Sequence, residues 1–198
     1  MKNILIINAH QKWEYVSEGK LNKTLTEQAI SFFKEKGFNV IETNISEGYN
    51  IEEEIEKHLV SDLVILQTPI FWFNPPSSYK KWADEVFMTA MFQQKMTLGD
   101  GRREGQNTQY GTGGQMKGKK FFVSATWNAP ENAFYDKSQI LLKGKSPEDI
   151  LFNVTLNYSF FNYELLPNFH SFDVMKNPQA EYYFSEYQKH LEKILYLV

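Results

Sequence analysis

The run Ile4-Leu5-Ile6-Ile7, closed by Asn8, is too short for a helix and is apolar on both sides of its alternation. A strand of that kind is buried on both faces, as the strands of parallel sheets are. The pattern returns at Leu63-Val64-Ile65-Leu66-Gln67, which Asp62 opens and Pro69 ends, and again from Lys119 to Thr126. Between these runs the apolar period changes. Leu21, Leu25, Ala29 and Phe32-Phe33 recur at helical spacing until Gly37 stops the helix. Ile51, Ile55 and Leu59 form a second stripe, with Glu52, Glu53, Glu54 and Glu56 mostly on its wet side. Phe38 to Glu42 reads as a less buried strand, and Tyr163 to Phe169 contains a fifth. A helix follows Asn74-Pro75-Pro76-Ser77, with Tyr79, Trp82, Val86 and Ala90 on one face, and an amphipathic helix from about Ala180 closes the chain. Residues 93–118, rich in Gly, Gln, Thr and Asn, read as a long loop of the kind kept for function.

Strands separated by helices require right-handed crossovers, which wind a chain into a three-layer α/β sandwich. With 198 residues, 42% hydrophobic and 23% charged, the chain suits a single domain over 1–198. Sixteen Phe and eleven Tyr exceed what a core needs, so some rings are expected to line a site for a flat ligand. A net charge of −3 and the lack of a basic face argue against a nucleic-acid partner. The lack of Cys excludes disulfides, thiolate metal sites and cysteine nucleophiles. No apolar run has the length of a signal peptide core or a membrane span, so the chain reads as cytoplasmic, without a membrane segment.

In such sheets ligands bind beyond the carboxyl ends of the strands, where the winding switches direction. Four segments lie there. After the first strand, Ser17, Gly19, Asn22 and Thr24 surround a helix start. Free N–H groups and the helix dipole suit a phosphate there, although the same residues would serve as a plain N-cap. Neither GxxxxGK[ST] nor GxGxxG is present. After the third strand comes Thr68-Pro69-Ile70-Phe71-Trp72-Phe73-Asn74-Pro75-Pro76. A proline-stiffened aromatic loop can hold amides and ring faces against a heterocycle, or plug the core beneath a turn. After the fourth strand come Thr126, Trp127, Asn128, Ala129 and Pro130, preceded by the glycine-rich Tyr110-Gly111-Thr112-Gly113-Gly114. Of the four His, His58 falls within a polar helix pattern and His190, in the closing helix, reads as solvated, whereas His10 and His170 lie near the sheet edge. There is no HExxH or other ligand spacing, so no metal site is expected.

Together these segments resemble the modulator of drug activity B family of NAD(P)H:quinone oxidoreductases, within the DT-diaphorase superfamily. The likeness runs through Asn3 to Asn8, Ser17 to Glu27, Pro69 with Trp72, Tyr110 to Gly114, Thr126 to Pro130, and Tyr187 to Leu191. It implies a flavodoxin-like homodimer with a five-stranded parallel sheet in the order 2-1-3-4-5, carrying FAD. NAD(P)H would be the co-substrate and a quinone-type molecule the acceptor, in a ping-pong, two-electron cycle. Carried over, Ser17, Gly19, Lys20, Leu21, Asn22, Lys23 and Thr24 would hold the pyrophosphate and ribityl region. Pro69, Ile70, Phe71, Trp72, Tyr110, Thr126, Trp127, Asn128 and Ala129 would surround the isoalloxazine. Tyr110 and His10 would assist proton uptake. The family has Gly then Trp after the proline; here Ile70 and Phe71 stand there, so a backbone suited only to glycine would be strained at Ile70. Two other readings share the fold: an FMN electron carrier, disfavoured because such carriers are usually strongly acidic, and a redox-sensing flavin module without turnover.

Overall fold

The computed structural model describes residues 2–102 and 108–198. Its strands are β1 (Asn3–Asn8), β2 (Asn39–Asn44), β3 (Leu63–Pro69), β4 (Lys120–Thr126), β5 (Glu164–Leu165) and β6 (Phe169–Ser171). The helices are α1 (Lys20–Glu35), α2 (Ile51–Val60), α3 (Ser77–Phe92), α4 (Pro147–Phe160) and α5 (Ala180–Leu195). The sheet is parallel and ordered β2-β1-β3-β4-β5, with β6 also on β4. The flavodoxin-like order expected from the resemblance is therefore present. No helix among the described residues is long and apolar enough to cross a membrane.

Alternation along the strands builds two cores. Leu5, Ile7, Val64, Leu66, Phe121 and Val123 face α2, α3 and α4, where Ile55, Trp82, Val86, Leu151 and Tyr158 meet them. Ile4, Ile6, Leu63, Ile65 and Phe122 face α1 and α5 through Leu25, Phe33, Tyr187 and Leu191. Burial on both faces is why these strands read as continuous apolar runs.

Three elements depart from the sequence reading. The fifth strand is split. Pro167 cannot donate to a ladder, so β5 stops, and Asn168 Oδ1 accepts the Val123 N–H at 2.8 Å before β6 resumes the pairing. Second, α4 lay inside a stretch with no assigned element. Its start carries a complete capping box, in which Ser146 and Asp149 bond each other's backbone N–H, and Pro147 occupies the first turn. Third, the described part of 93–118 is tied down: Thr97 bridges Gly114, Leu98 N–H donates to Gly113 O at 3.0 Å, and Met96 and Met116 are buried. Residues 103–107 of that loop lie outside the described residues.

His58 is also corrected. It is fully buried, with Nδ1 2.8 Å from Glu54 O and rings of Trp82, Phe87 and Tyr158 around it. Burial pushes its pKa down to about 4, so it stays neutral. His190, expected on a wet face, packs against Phe122, Phe169 and Tyr187 and is likewise held down at about 4 by burial.

Candidate active-site cleft

Beyond the carboxyl ends of β1, β3 and β4 lies a cleft of about 1000 Å³. One end is the first turn of α1. Gly19 precedes it in the left-handed region (φ 81°), and among the described residues no side chain satisfies the turn's N–H groups. Lys20, Leu21 and Asn22 line the cleft there, leaving donors and the positive end of the helix dipole for an anion. At the other end, Trp127 N–H donates to Ser171 O at 2.8 Å. Among the described residues, the next two amides, of Asn128 and Ala129, have no hydrogen-bond partner. Pro69, Ile70, Phe71, Trp72 and Trp127 supply the apolar wall, and Leu141, Leu142, Val174 and Met175 the far rim.

The floor is a polar chain between buried side chains. Gln67 Nε2 donates to Asn22 Oδ1 at 2.8 Å, and Asn22 Nδ2 donates to Thr126 Oγ1 at 3.1 Å. All three residues are buried, so α1, β3 and β4 are joined under the cleft.

The aromatic loop forms a tight turn. Phe71 N–H donates to Asn74 O at 2.8 Å and Asn74 N–H returns the bond at 3.2 Å. Both central residues, Trp72 (φ 50°) and Phe73 (φ 67°), are left-handed. That is the backbone of a hairpin turn normally given to Asn and Gly. Two bulky rings there are strained, at a cost of about 1–3 kcal/mol each, and Trp72 stands 92% exposed. Ile70, where strain was expected, has no positive φ. The strain lies two residues further on.

Residues 2–195 match the family model described as flavodoxin-like fold. The chain is 39% identical over 193 residues to the NADPH:quinone oxidoreductase MdaB of Haemophilus influenzae, covering 97% of this chain and 98% of that one. The chain belongs to the modulator of drug activity B family of NAD(P)H:quinone oxidoreductases. Among the solved structures that share its fold are two that match nearly the whole chain. A Klebsiella pneumoniae protein assigned as a quinone reductase superposes with a TM-score of 0.77 at 21% identity, covering 100% of this chain and 85% of the other. General stress protein 14 of Treponema denticola, solved with FMN, gives 0.67 at 20% identity, covering 98% and 99%.

In this member of the family the cleft gathers Ser17, Gly19, Lys20, Leu21, Asn22, Pro69, Ile70, Phe71, Trp72, Thr126, Trp127, Asn128 and Ala129. Four of the residues picked from the sequence lie elsewhere. Lys23 and Thr24 are exposed on the next stretch of α1, outside the cleft wall, with Thr24 Oγ1 bonded back to Lys20 O at 3.1 Å. His10 is buried behind the turn, with Nε2 3.1 Å from Ser17 Oγ and its ring packed under Gly19. Burial lowers its pKa. Tyr110 lines a separate groove of about 490 Å³ between α3 and α4, its ring centroid 5.7 Å from that of Phe160.

Sequence reasoning missed Gln67, Leu141, Leu142, Val174 and Met175. Gln67 had a signal, a polar residue inside an otherwise apolar strand. His170, noticed but given no role, accepts a hydrogen bond from Trp127 Nε1 at Nδ1, 3.1 Å away.

Proposed function

We propose that this chain holds FAD in the strand-end cleft and passes two electrons from NAD(P)H to a quinone-type acceptor in a ping-pong cycle. One observation carries the reading: a single cleft joins an uncapped helix start, an apolar aromatic wall and two unpaired amides. These features fit a flavin nucleotide's phosphates, ring and pyrimidine edge in turn. When bound, the flavin supplies the hydride chemistry. The chain's own residues bind, orient and exclude water. The N–H groups of Lys20, Leu21 and Asn22 hold the pyrophosphate. The amides of Asn128 and Ala129 meet negative charge as it develops, as an oxyanion hole does. Pro69, Ile70, Phe71 and Trp127 shield the ring, and Trp72 covers the co-substrates, which use the cleft in succession.

The cleft is roomy enough for a dinucleotide: about 1000 Å³ stands at the top of the usual range for ligand sites, roughly 300–1000 Å³. Denaturing the purified yellow protein is expected to release FAD, and the protein is expected to oxidise NAD(P)H with menadione. Released FMN would overturn the dinucleotide assignment. Protein that stays colourless with excess FAD would overturn the whole reading. Because NAD(P)H is the reductant, the cytoplasm is the proposed site of action.

We also propose a homodimer built on the α3–α4 face. That helix pair exposes Met88, Phe92, Phe152 and Leu156 beside Tyr110. α4 buries Leu151, Val154 and Tyr158 inward and presents Phe152 and Leu156 outward, and large apolar side chains exposed together mark a surface that another chain covers. Sedimentation is expected to give a dimer at micromolar concentration, with Leu156→Glu giving a folded monomer. A monomeric wild type would refute this interface.

A further inference from the structure

Behind the cleft wall, three side chains from three elements form a continuous hydrogen-bonded line. Trp127, 2% exposed, donates its indole N–H to His170 Nδ1 at 3.1 Å. The opposite ring nitrogen, His170 Nε2, lies 3.0 Å from Glu148 Oε1, in the first turn of α4. Glu148 Oε2 accepts from Tyr135 O–H at 3.3 Å. An indole is a donor only, so the ring nitrogen facing it must be unprotonated. A carboxylate accepts only, so the other nitrogen must carry the proton. The hydrogen bond from His170 holds the Glu148 carboxyl down at about 2, so it is ionised at neutral pH. One tautomer of His170 satisfies both partners, and Glu148 enforces it.

The line runs from the start of α4, through β6, to the wall of the cleft, and Tyr135 joins it from the segment before α4. Trp127 has no other hydrogen-bond acceptor for its N–H among the described residues. Its ring also packs in the core beside α2, α3 and α4 and meets Phe134 edge-on at 5.2 Å between centroids. His170 adds the one directional bond to the indole N–H among the described residues.

We infer that His170, oriented by Glu148, is a positioning residue that locks the Trp127 ring as a rigid wall for the molecules reacting in the cleft. The inference rests on the quinone-reductase reading of that cleft. Misplacement of a wall by a fraction of an ångström acts on turnover more than on binding, because reacting groups must meet at close distance.

The test has two independent arms. In the first, 15N NMR on the intact wild-type protein reads the two imidazole nitrogens of His170, with Trp127→Phe assigning the indole N–H. An unprotonated Nδ1, a protonated Nε2 and a hydrogen-bonded indole proton are expected. The opposite tautomer would overturn the lock whatever the protein catalyses. In the second, menadione reduction is measured per bound flavin. His170→Leu, which can neither accept nor donate, is expected to lower kcat about tenfold with a smaller change in KM. His170→Gln keeps an acceptor for the indole and a donor for Glu148, and is expected to recover to within about threefold of wild type. A His170→Leu protein with a lower melting temperature but wild-type turnover per flavin would show a structural role and refute the inference. If that variant fails to fold, the Gln variant and Glu148→Gln decide. A Gln variant as slow as Glu148→Gln would refute it, and one faster than Glu148→Gln would support it. Wild type that binds flavin but reduces no quinone would defeat the functional reading alone, leaving the NMR arm to judge the lock.

Discussion

Gly19→Ala is expected to weaken flavin binding about a hundredfold. Gly19 caps α1 at φ 81°, a conformation that costs other residues about 1–2 kcal/mol. A Cβ built there would also lie 2.5 Å from the Cε1 and Nδ1 atoms of His10. That ring is buried and bonded to Ser17, so it cannot swing clear without disturbing the turn. The backbone must shift instead, and it carries the N–H groups offered to the phosphates. Each 1.4 kcal/mol is about a factor of ten in affinity, so strain plus contact reaches two decades. Flavin titration of the apo protein measures the effect. Adding His10→Ala removes the contact but not the positive φ, so it should recover part of the loss. Unchanged affinity in Gly19→Ala would mean that the phosphates bind elsewhere.

Trp72→Gly should separate stability from activity in opposite directions. The ring is 92% exposed, and its backbone sits at φ 50°. Glycine adopts that conformation freely, so the apo protein should gain about 1 kcal/mol. At this chain length that raises the melting temperature by roughly 2–4 °C. Loss of one stacking surface, about 0.5–1.5 kcal/mol, should slow flavin reduction about tenfold. Stopped-flow reduction and thermal melts on the one variant measure both. A less stable protein with unaltered reduction would make Trp72 a packing residue.

Much of the fold was legible because burial on both faces leaves an unmistakable pattern. Ile4 to Ile7 and Leu63 to Leu66 could be little else, and the strand-end rule then led to the loops that form the cleft. α4 was obscured for a physical reason. Phe152 and Leu156 stand among the polar residues of its outer face, so no helical stripe stands out. Only Ser146 and Asp149, at capping-box spacing, marked its start. The split edge strand turned on Pro167, which cannot donate, and on the Asn168 side chain taking a backbone position, which no periodicity encodes. His58 fell in a polar pattern because its neighbours in sequence are charged, although the helix turns it inward. His10 and Tyr110 were chosen for their chemistry and their place along the chain. Whether a side chain reaches a cleft depends on how loops fold over one another, as the Ser17–Gly19 turn does over His10.

Asn22 stands at a helix start suited to phosphate, and its burial changes what that residue does. Joined to Gln67 and Thr126, it pins a helix to two strands by bonds already made without a ligand. The conformational entropy of aligning the phosphate-facing turn with the β4 end is therefore spent during folding and is not deducted from affinity. A receptor organised in this way gains from every ligand contact almost in full. It is correspondingly intolerant of change beneath the cleft, since losing Asn22, the middle member, leaves the Gln67 amide and the Thr126 hydroxyl buried without that partner.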